Sequence, residues 1–335
     1  MSVPPFFWRT PRKIHSLNRP ESYYHPPTGR SRVDLYIGID LGGHHVSGAL
    51  VTDRGKVMAR EALKTSAGRG RARVLEQIAR ICSELSGVRV GRNRHPKAVG
   101  IGVPGFLNHA AGTVISSPNF PGWENYAIVK ALKRRIPYRV VLENDANCAA
   151  RGEQWLGAGK GHGNIVLLTL GTGVGGGLIA DGRLLRGSRG AGGEVGHIVI
   201  DPSGPLCGCG GCGCLESFVS GTALKRDTGF SGEDLHRKAQ NGEKHALKAF
   251  GEMGRHLGMG LASLSFLFDP DVFILGGKLS AALPLFGPAM RMEMDSRLRK
   301  HPAKKVPVRR ARCGNDAGML GAARMAMEAG KGSHA

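Results

Sequence analysis

Four of the seven cysteines lie within eight residues, at Cys207, Cys209, Cys212 and Cys214. Closely spaced Cys-x-Cys pairs rarely meet the Cα separation and dihedral angle of a disulfide, so this spacing indicates a metal site. Three thiolates, Cys207, Cys209 and Cys214, together with the imidazole of His197 make a Cys₃His set, which binds Zn²⁺ in a closed tetrahedral site. The sequence therefore predicts a structural zinc loop over residues 197–216. Spacing alone leaves open whether Cys212 replaces one of its neighbours as a ligand.

Two glycine-rich turns, Asp40-Leu41-Gly42-Gly43 and Gly171-Thr172-Gly173, each follow a predicted buried strand. Backbone amides in such turns can approach an anion closely, because no side chain is in the way. A strand and not a helix follows each turn, which excludes the dinucleotide fingerprint and the Walker loop. A tight hairpin without a ligand would explain either turn alone, but the pair predicts a phosphate-binding cleft.

A third group, Glu143-Asn144-Asp145, stands at the carboxyl end of a predicted strand, where open α/β sheets place their ligand-binding side chains. The carboxylate of Asp145 could accept the proton of a hydroxyl that attacks phosphorus. Capping of the next helix is the commoner role for an aspartate in this position. Asn144 beside it would form hydrogen bonds with a polyol.

These groups are positioned by an α/β pattern that occurs twice. A strand that enters a glycine turn and then a second strand begins near Leu35 and again near Asn164. The sequence predicts helices at about 70–86, 127–135, 146–154, 221–226, 242–268 and 317–328. It places the glycine turn of the second half over Gly171–Gly177, with the next strand at Leu178–Ala180. The pattern predicts an α/β fold with an internal duplication.

Three segments resemble, in the expected order, the signatures of the ROK family of sugar kinases and repressors: Gly171–Gly177, Glu194-Val195-Gly196-His197 and Cys207–Glu216. The resemblance extends from about Tyr36 to Ala323. It implies two duplicated ribonuclease H-like domains of the actin-like ATPase superfamily, with an interdomain cleft and a small zinc-binding loop. The implied divisions are an N-terminal α/β domain at 33–145, joined by the C-terminal helix 317–330, and a C-terminal α/β domain at 146–316. Residues 1–32 are rich in proline and basic residues and show no helical or strand periodicity, which predicts a disordered basic extension or a wrongly chosen start codon.

The resemblance also implies residue roles, with Asp145 as the general base. Five residues would hold the sugar hydroxyls: Asn119, Asn144, Glu194, His197 and Glu216. Six would surround the phosphates of ATP and Mg²⁺: Asp40, Gly42, Gly43, Gly171, Thr172 and Gly173. The nucleoside would lie beside Gly276 and Gly277. One ring nitrogen of His197 would bind zinc and the other would contact the sugar, so that the structural ion fixes a substrate-binding loop.

Two positions depart from the family pattern. His44 stands where a threonine usually follows the first glycine pair, which removes a hydroxyl and adds a titratable ring next to His45. Lys278 replaces a glycine that commonly follows Gly276-Gly277. The first change bears on ATP affinity and on the choice of phosphoryl donor, while the lysine could either contact a phosphate or extend into solvent.

The chain of 335 residues carries 47 Lys and Arg against 26 Asp and Glu, a net charge of +21. The basic residues concentrate at Arg54–Lys97 and Arg297–Arg312 without interleaved aromatic residues, which favours a solvated basic surface over a nucleic-acid site. No apolar run is long enough to span a bilayer, and the N-terminus lacks the pattern of a secretory signal. We therefore expect a cytoplasmic protein that does not bind membranes.

The resemblance implies ATP-dependent phosphorylation of a hexose at its 6-hydroxyl. Glucose is the first choice, because the stretch from His197 to Cys207 is short, as it is in the family's glucokinases. N-acetylglucosamine, N-acetylmannosamine, mannose and fructose are alternative substrates, and polyphosphate is an alternative donor. A sugar-responsive transcriptional regulator is the alternative from another class, but residues 1–32 are too few for a winged-helix domain. The resemblance implies a homodimer or homotetramer.

Overall fold

The structure, a computed structural model, describes residues 33–90 and 95–331. The predicted extension at 1–32 lies outside these residues. All described residues belong to one compact unit, Val33–Ala335. No helix in this described part is long and apolar enough to cross a membrane.

The first half of the chain forms a five-stranded sheet. Its elements in chain order are β1 (Leu35–Leu41), β2 (His45–Thr52), β3 (Val57–Lys64), α1 (Arg71–Gly87), β4 (Ala98–Val103), β5 (Phe106–Asn108), β6 (Thr113–Ser116), α2 (Ile128–Leu132) and β7 (Arg139–Asn144). The sheet order is β3-β2-β1-β4-β7, while β5 and β6 form a separate hairpin. Strands β1 to β3 pair antiparallel, and β4 and β7 extend the sheet in parallel with β1. The apolar faces of β1, β4 and α1 form a common core.

The second half repeats this arrangement. Its elements are α3 (Asp145–Leu156), β8 (Ile165–Leu170), β9 (Val174–Ala180), β10 (Arg183–Leu184), α4 (Glu216–Val219), α5 (Gly221–Thr228), α6 (Gly232–Gln240), α7 (Lys244–Phe268), β11 (Val272–Gly276), α8 (Leu283–Leu298), β12 (Val308–Arg310) and α9 (Ala317–Lys331). The sheet order is β10-β9-β8-β11-β12, again with three antiparallel strands extended by two parallel ones. Short 3₁₀ helices occupy Ala67–Arg69, Val195–His197, Lys278–Ala282, Pro302–Lys305 and Gly314–Asp316.

The last helix, α9, returns to the first sheet. A Cβ atom built on Gly38 or Gly100 would lie 1.8 Å from a carbonyl oxygen of α9, so glycine in β1 and β4 is what lets the helix backbone rest on the sheet. Helices α3 and α9 approach each other equally closely, since a Cβ on Gly321 would lie 1.7 Å from the carbonyl oxygen of Cys148. The sheet of the first half is therefore covered by a helix from the end of the chain.

The structure differs from the sequence prediction at several elements. Strand β9 begins at Val174, so Gly175–Gly177 belong to a strand and the glycine turn ends at Gly173. The strand needs these glycines because α3 packs against it: a Cβ on Gly177 would lie 2.6 Å from the Cβ of Ala150. The β5–β6 hairpin, α6, α8 and β12 were not predicted. Strand β12 has only three residues, two of them exposed arginines, and α8 contains Pro288, so neither shows a regular apolar period.

Candidate active site

The end of β7 and the start of α3 hold the predicted base. The Oδ1 atom of Asn144 accepts hydrogen bonds from the backbone N–H groups of Ala146 and Asn147, at 2.9 and 3.1 Å, so Asn144 is the N-cap of α3. Asp145 is thus the first residue of the helix and is not needed as its cap. Burial raises the pKa of Asp145, although a backbone hydrogen bond to its Oδ1 from Ala146 opposes this. A carboxylate with a raised pKa is a better proton acceptor.

A second carboxyl group lies near Asp145 at the end of β1. Burial, and after it the charge of Asp145, raise the pKa of Asp40 to about 7. Gly318, in the first turn of α9, borders this carboxyl group, because a Cβ built there would lie 2.8 Å from the Asp40 Cγ. Strand register explains the neighbourhood: Asp40 pairs with Gly102 of β4, which in turn pairs with Glu143 of β7. The carboxyl ends of three adjacent parallel strands therefore bring two predicted site residues together.

The first glycine turn lies beside Asn119. The backbone of the turn is fixed at Gly42. The N–H of Gly42 donates a hydrogen bond to His45 O at 2.9 Å, and its carbonyl oxygen accepts one from Thr65 Oγ1 at 2.8 Å. A Cβ on Gly43 would lie 3.5 Å from the amide nitrogen of Asn119, which is exposed. His44, the departure from the family pattern, is also exposed.

The second glycine turn is fixed by the start of α5. Gly221 N–H donates to Gly171 O at 2.7 Å, and Thr222 Oγ1 donates to Thr172 O at 2.8 Å. Gly277, the residue after β11, lies against the residue before this turn, because a Cβ on it would lie 2.3 Å from Leu170 O. The predicted phosphate turn and one of the two glycines predicted for the nucleoside are therefore neighbours. Gly276 is the last residue of β11 and pairs with Thr169.

Glu216 connects the second glycine turn to the cysteine-rich loop. Its Oε2 accepts a hydrogen bond from Val174 N at 2.7 Å, and its Oε1 accepts one from Cys207 Sγ at 3.5 Å. A Cβ on Gly173 would lie only 2.4 Å from Oε2. Glycine at this position therefore leaves the space that the Glu216 carboxylate occupies.

The predicted metal ligands converge on one point. The ligand atoms of His197, Cys207, Cys209 and Cys214 all lie within 4.8 Å of one another. The Nδ1 of His197 is 3.6 Å from Cys207 Sγ, and Cys209 Sγ is 3.6 Å from Cys214 Sγ. These separations fit ligands arranged around one tetrahedral zinc ion with bonds of about 2.0 to 2.3 Å. Cys212 is exposed and is not one of the four residues in this cluster.

Glu194 faces the same region from the other side of His197. Its Oε2 lies 3.9 Å from the Nε2 of His197, whose Nδ1 is turned towards the thiols. Burial raises the pKa of Glu194, His197 opposes this, and the charges of Asp145 and Glu216 add to it. Three predicted sugar ligands, Glu194, His197 and Glu216, therefore lie in one region, and the charge of the predicted base acts on Glu194.

One interaction next to these residues, the ion pair of Glu143 and Arg186, is not indicated by any sequence pattern. Glu143 is only 1% exposed, and its Oε2 accepts a hydrogen bond from Arg186 Nε at 2.7 Å. Arg186 lies in the loop that follows β10 of the second sheet, whereas Glu143 lies in β7 of the first. Glu143 was visible as part of the acidic triplet, but no local pattern marks Arg186 as its partner.

The fold and the site define an α/β protein with two sheets of equal strand order, two glycine turns that follow the first strand of each sheet, and a pair of neighbouring buried carboxyl groups. The chain belongs to the ROK family, whose family model matches residues 36–329. It is 38% identical over 280 residues to a glucokinase of Thermotoga maritima, covering 77% of this chain and 87% of that protein. Its structure is similar to a ROK hexokinase of Thermus thermophilus, with a TM-score of 0.80, 37% identity and coverage of 89% and 99%. A ROK family glucokinase of Streptomyces griseus, solved with glucose and AMPPNP, gives a TM-score of 0.75 at 33% identity, with coverage of 88% and 99%.

Proposed function

We propose that this protein transfers the γ-phosphoryl group of ATP to the 6-hydroxyl of glucose. The observation that carries the proposal is the position of Asp145 beside Asp40: Gly102 pairs with Asp40, and a Cβ built on Gly102 would lie 3.5 Å from the Cα of Asp145. After burial, the charge of Asp145 also raises the pKa of Asp40, beside the first glycine turn, and that of Glu194, in the predicted sugar site. A base in that position can take the hydroxyl proton while the oxygen attacks phosphorus. The glucokinases among the relatives favour glucose over other hexoses.

The nucleotide would bind between the two glycine turns. Backbone N–H groups of Gly42, Gly43 and Gly171–Gly173 would contact its phosphates, and Asp40 with Asp145 offers oxygen ligands of the kind that Mg²⁺ takes. The magnesium ion would neutralise charge on the transferred group. Burial of Asp40 and its proximity to Asp145 support this role. Two neighbouring carboxylates repel each other when both are ionised, and a bound cation would stabilise that ionised state.

The sugar would lie between Asp145 and the loop that carries Glu194. Glu194, His197 and Glu216 provide acceptors and one donor at that side, and Asn119 borders the first turn. Asn144 already uses its Oδ1 to cap α3 and donates from Nδ2 to Gly105 O at 3.2 Å, which leaves one amide hydrogen for a hydroxyl. A zinc ion bound by the Cys₃His cluster would hold the loop that presents His197.

The two sheets would be the cores of two domains, divided near residue 145 with α9 added to the first, and the site would lie in the cleft between them. Closure of such a cleft excludes water and so favours transfer to sugar over hydrolysis of ATP. The resemblance suggests a dimer or tetramer of this unit.

The test is an assay of Asp145→Ala and of the native protein on a panel of hexoses with two donors, ATP and polyphosphate. We expect the native protein to prefer glucose and ATP, and Asp145→Ala to lose about 10²- to 10⁴-fold in kcat while still binding glucose. Asp271→Asn is a matched control, because Asp271 also accepts backbone hydrogen bonds, from Gly163 and Asn164, outside the candidate site. Undiminished turnover by Asp145→Ala would refute the proposed base, and preference for another sugar or for polyphosphate would reassign the substrate.

A further inference from the structure

The buried carboxylate of Glu143 joins the base to the other half of the molecule. Its Oε1 accepts hydrogen bonds from Asn144 N and from Asn147 Nδ2, both at 3.0 Å, so it fixes the backbone directly before Asp145. Its Oε2 accepts from Arg186 Nε at 2.7 Å. One side chain therefore holds both the start of α3 and the loop that follows β10 of the second sheet.

Arg186 begins the loop that leads to Glu194. The carbonyl of Arg186 accepts a hydrogen bond from Gly192 N at 2.8 Å, which closes the loop on itself two residues before Glu194. Gly190, within the loop, packs against the β5–β6 hairpin, because a Cβ on it would lie 2.4 Å from Leu107 O. The loop is thus fixed at its base by Arg186 and along its length by the first half of the chain.

The ion pair is energetically demanding. A carboxylate that is 1% exposed is stable as an ion only when its lone pairs are satisfied, and removal of its cationic partner from such a pair costs far more than removal of a surface partner. The side chain of Arg186 is 36% exposed, whereas that of Glu143 is 1% exposed, so solvent reaches the arginine but hardly the carboxylate. The arrangement favours one relative position of Glu143 and the loop.

We propose that Arg186, through Glu143, is a positioning residue that sets Glu194 opposite Asp145 for sugar binding. The inference rests on the proposed function, because it assigns the sugar to Glu194 and Asp145. Neither Arg186 nor Glu143 acts on the substrate itself. They would instead set the distance between Glu194 and Asp145, the two groups that contact the sugar. A displacement of about 1 Å between groups of this kind can lower the rate about 10²-fold.

The test compares Arg186→Met, Arg186→Lys, Glu143→Gln and the double variant Glu143→Gln/Arg186→Met. We expect Arg186→Met to raise the KM for glucose about 10-fold or more and to weaken glucose binding equally in calorimetry, while the KM for ATP stays within about 2-fold. Arg186→Lys should restore part of the affinity, since it keeps the charge but not the planar fork. The double variant should bind glucose no worse than Arg186→Met, because the unpaired buried charge is then gone.

Arg151→Met is the matched control. Arg151 donates from Nη1 to Gly182 O, so it also joins α3 to the hairpin of β9 and β10, but at the hairpin's other end. It should lower the melting temperature without a selective change in the KM for glucose. The inference would be overturned if Arg186→Met changed the KM for glucose and the KM for ATP equally, or if it only lowered the melting temperature as Arg151→Met does. It would also be overturned if the effects of Glu143→Gln and Arg186→Met on glucose binding were additive in the double variant. Native turnover on glucose, measured separately, tests the proposed function itself.

Discussion

Asp40 and Asp145 both lie next to Gly102: Asp40 pairs with Gly102 in the sheet, and a Cβ built on Gly102 would lie 3.5 Å from the Cα of Asp145. Burial, and after it the charge of Asp145, raise the pKa of Asp40 to about 7. A carboxyl group with a raised pKa in the folded state binds its proton more tightly there than in the unfolded chain. Its contribution to stability is therefore present at low pH and is lost as the pH rises from about 4 to about 7. At pH 8 the folded protein carries an ionised group that its surroundings oppose.

Asp40→Asn should therefore stabilise the protein at pH 8 and have a smaller effect at pH 5, where Asp40 is already protonated in the folded state. The measurement is the melting temperature of both proteins at the two pH values without magnesium or nucleotide. The same variant should lose most of its affinity for magnesium–ATP. A change in melting temperature that is equal at pH 5 and pH 8 would show that Asp40 does not titrate in this range.

Loss of zinc from the proposed Cys₃His site should weaken the binding of glucose and leave the binding of ATP unchanged. The ligand atoms of His197 and the three thiols lie within 4.8 Å of one another, and His197 Nε2 is 3.9 Å from Glu194. We expect about one zinc per chain by elemental analysis, and a lower melting temperature with a higher KM for glucose in Cys214→Ser.

Cys212→Ser is the control for this experiment, because Cys212 is exposed and outside the cluster. It should retain the zinc content, the melting temperature and the KM for glucose. Loss of zinc from Cys212→Ser to the extent found for Cys214→Ser would assign the fourth thiol as a ligand and refute the cluster as described.

A methyl group at Gly173, in the second glycine turn, should displace the carboxylate of Glu216, which is a predicted sugar ligand. The Cβ of Gly173→Ala would lie 2.4 Å from Glu216 Oε2, so the carboxylate must move away from its hydrogen bond with Val174. We expect kcat/KM for glucose to fall about 10- to 100-fold. Gly251→Ala is the comparison, since nothing lies within 4 Å of a Cβ there and alanine favours the helix. A fall in activity shared by both variants would point to a general defect.

Local patterns in the sequence predicted the candidate site residues that are contiguous in the chain. The acidic triplet, the two glycine turns and the cysteine cluster are each short segments. In each of them the residue types and their spacing along the chain are enough to indicate a chemical role. The sequence also indicated the duplication, because β1 and β8 each enter a glycine turn and then an antiparallel strand. The interpretation of Gly175–Gly177 as a turn was wrong, because the closeness of α3 to β9 is a tertiary property that a local window does not contain.

Contacts between segments that are distant in the chain could not be predicted from local sequence patterns. The pair of Glu143 and Arg186 joins residues 43 positions apart, and nothing in either local pattern indicates the partner. The cap of α3 shows the same limit on a smaller scale, because Asp145 and Asn144 are both good capping residues and only the helix start decides between them. The assignments of sugar and nucleotide ligands stay predictions until the variants above are measured.

Glu153 should contribute strongly to stability, because its carboxylate joins the two segments that connect the sheets. The side chain is fully buried in α3, and its oxygens accept hydrogen bonds from Ala158 N at 2.7 Å, Arg312 N at 3.0 Å and Cys313 N at 2.6 Å. Glu153→Gln replaces one acceptor oxygen by an amide that faces backbone donors. The free energy of unfolding should fall by about 2 to 4 kcal/mol in urea denaturation.

Glu84→Gln serves as the comparison, because Glu84 forms an exposed pair with Arg80 on α1 and should change the free energy of unfolding by about 0.5 kcal/mol or less. Gly157→Ala tests the same junction from the other side, since its Cβ would lie 2.0 Å from Glu153 Oε2 and must displace the carboxylate. Both Glu153→Gln and Gly157→Ala should therefore destabilise the protein by similar amounts. Stability of Glu153→Gln within the range of Glu84→Gln would show that the three backbone donors find other partners and that this carboxylate does not hold the junction.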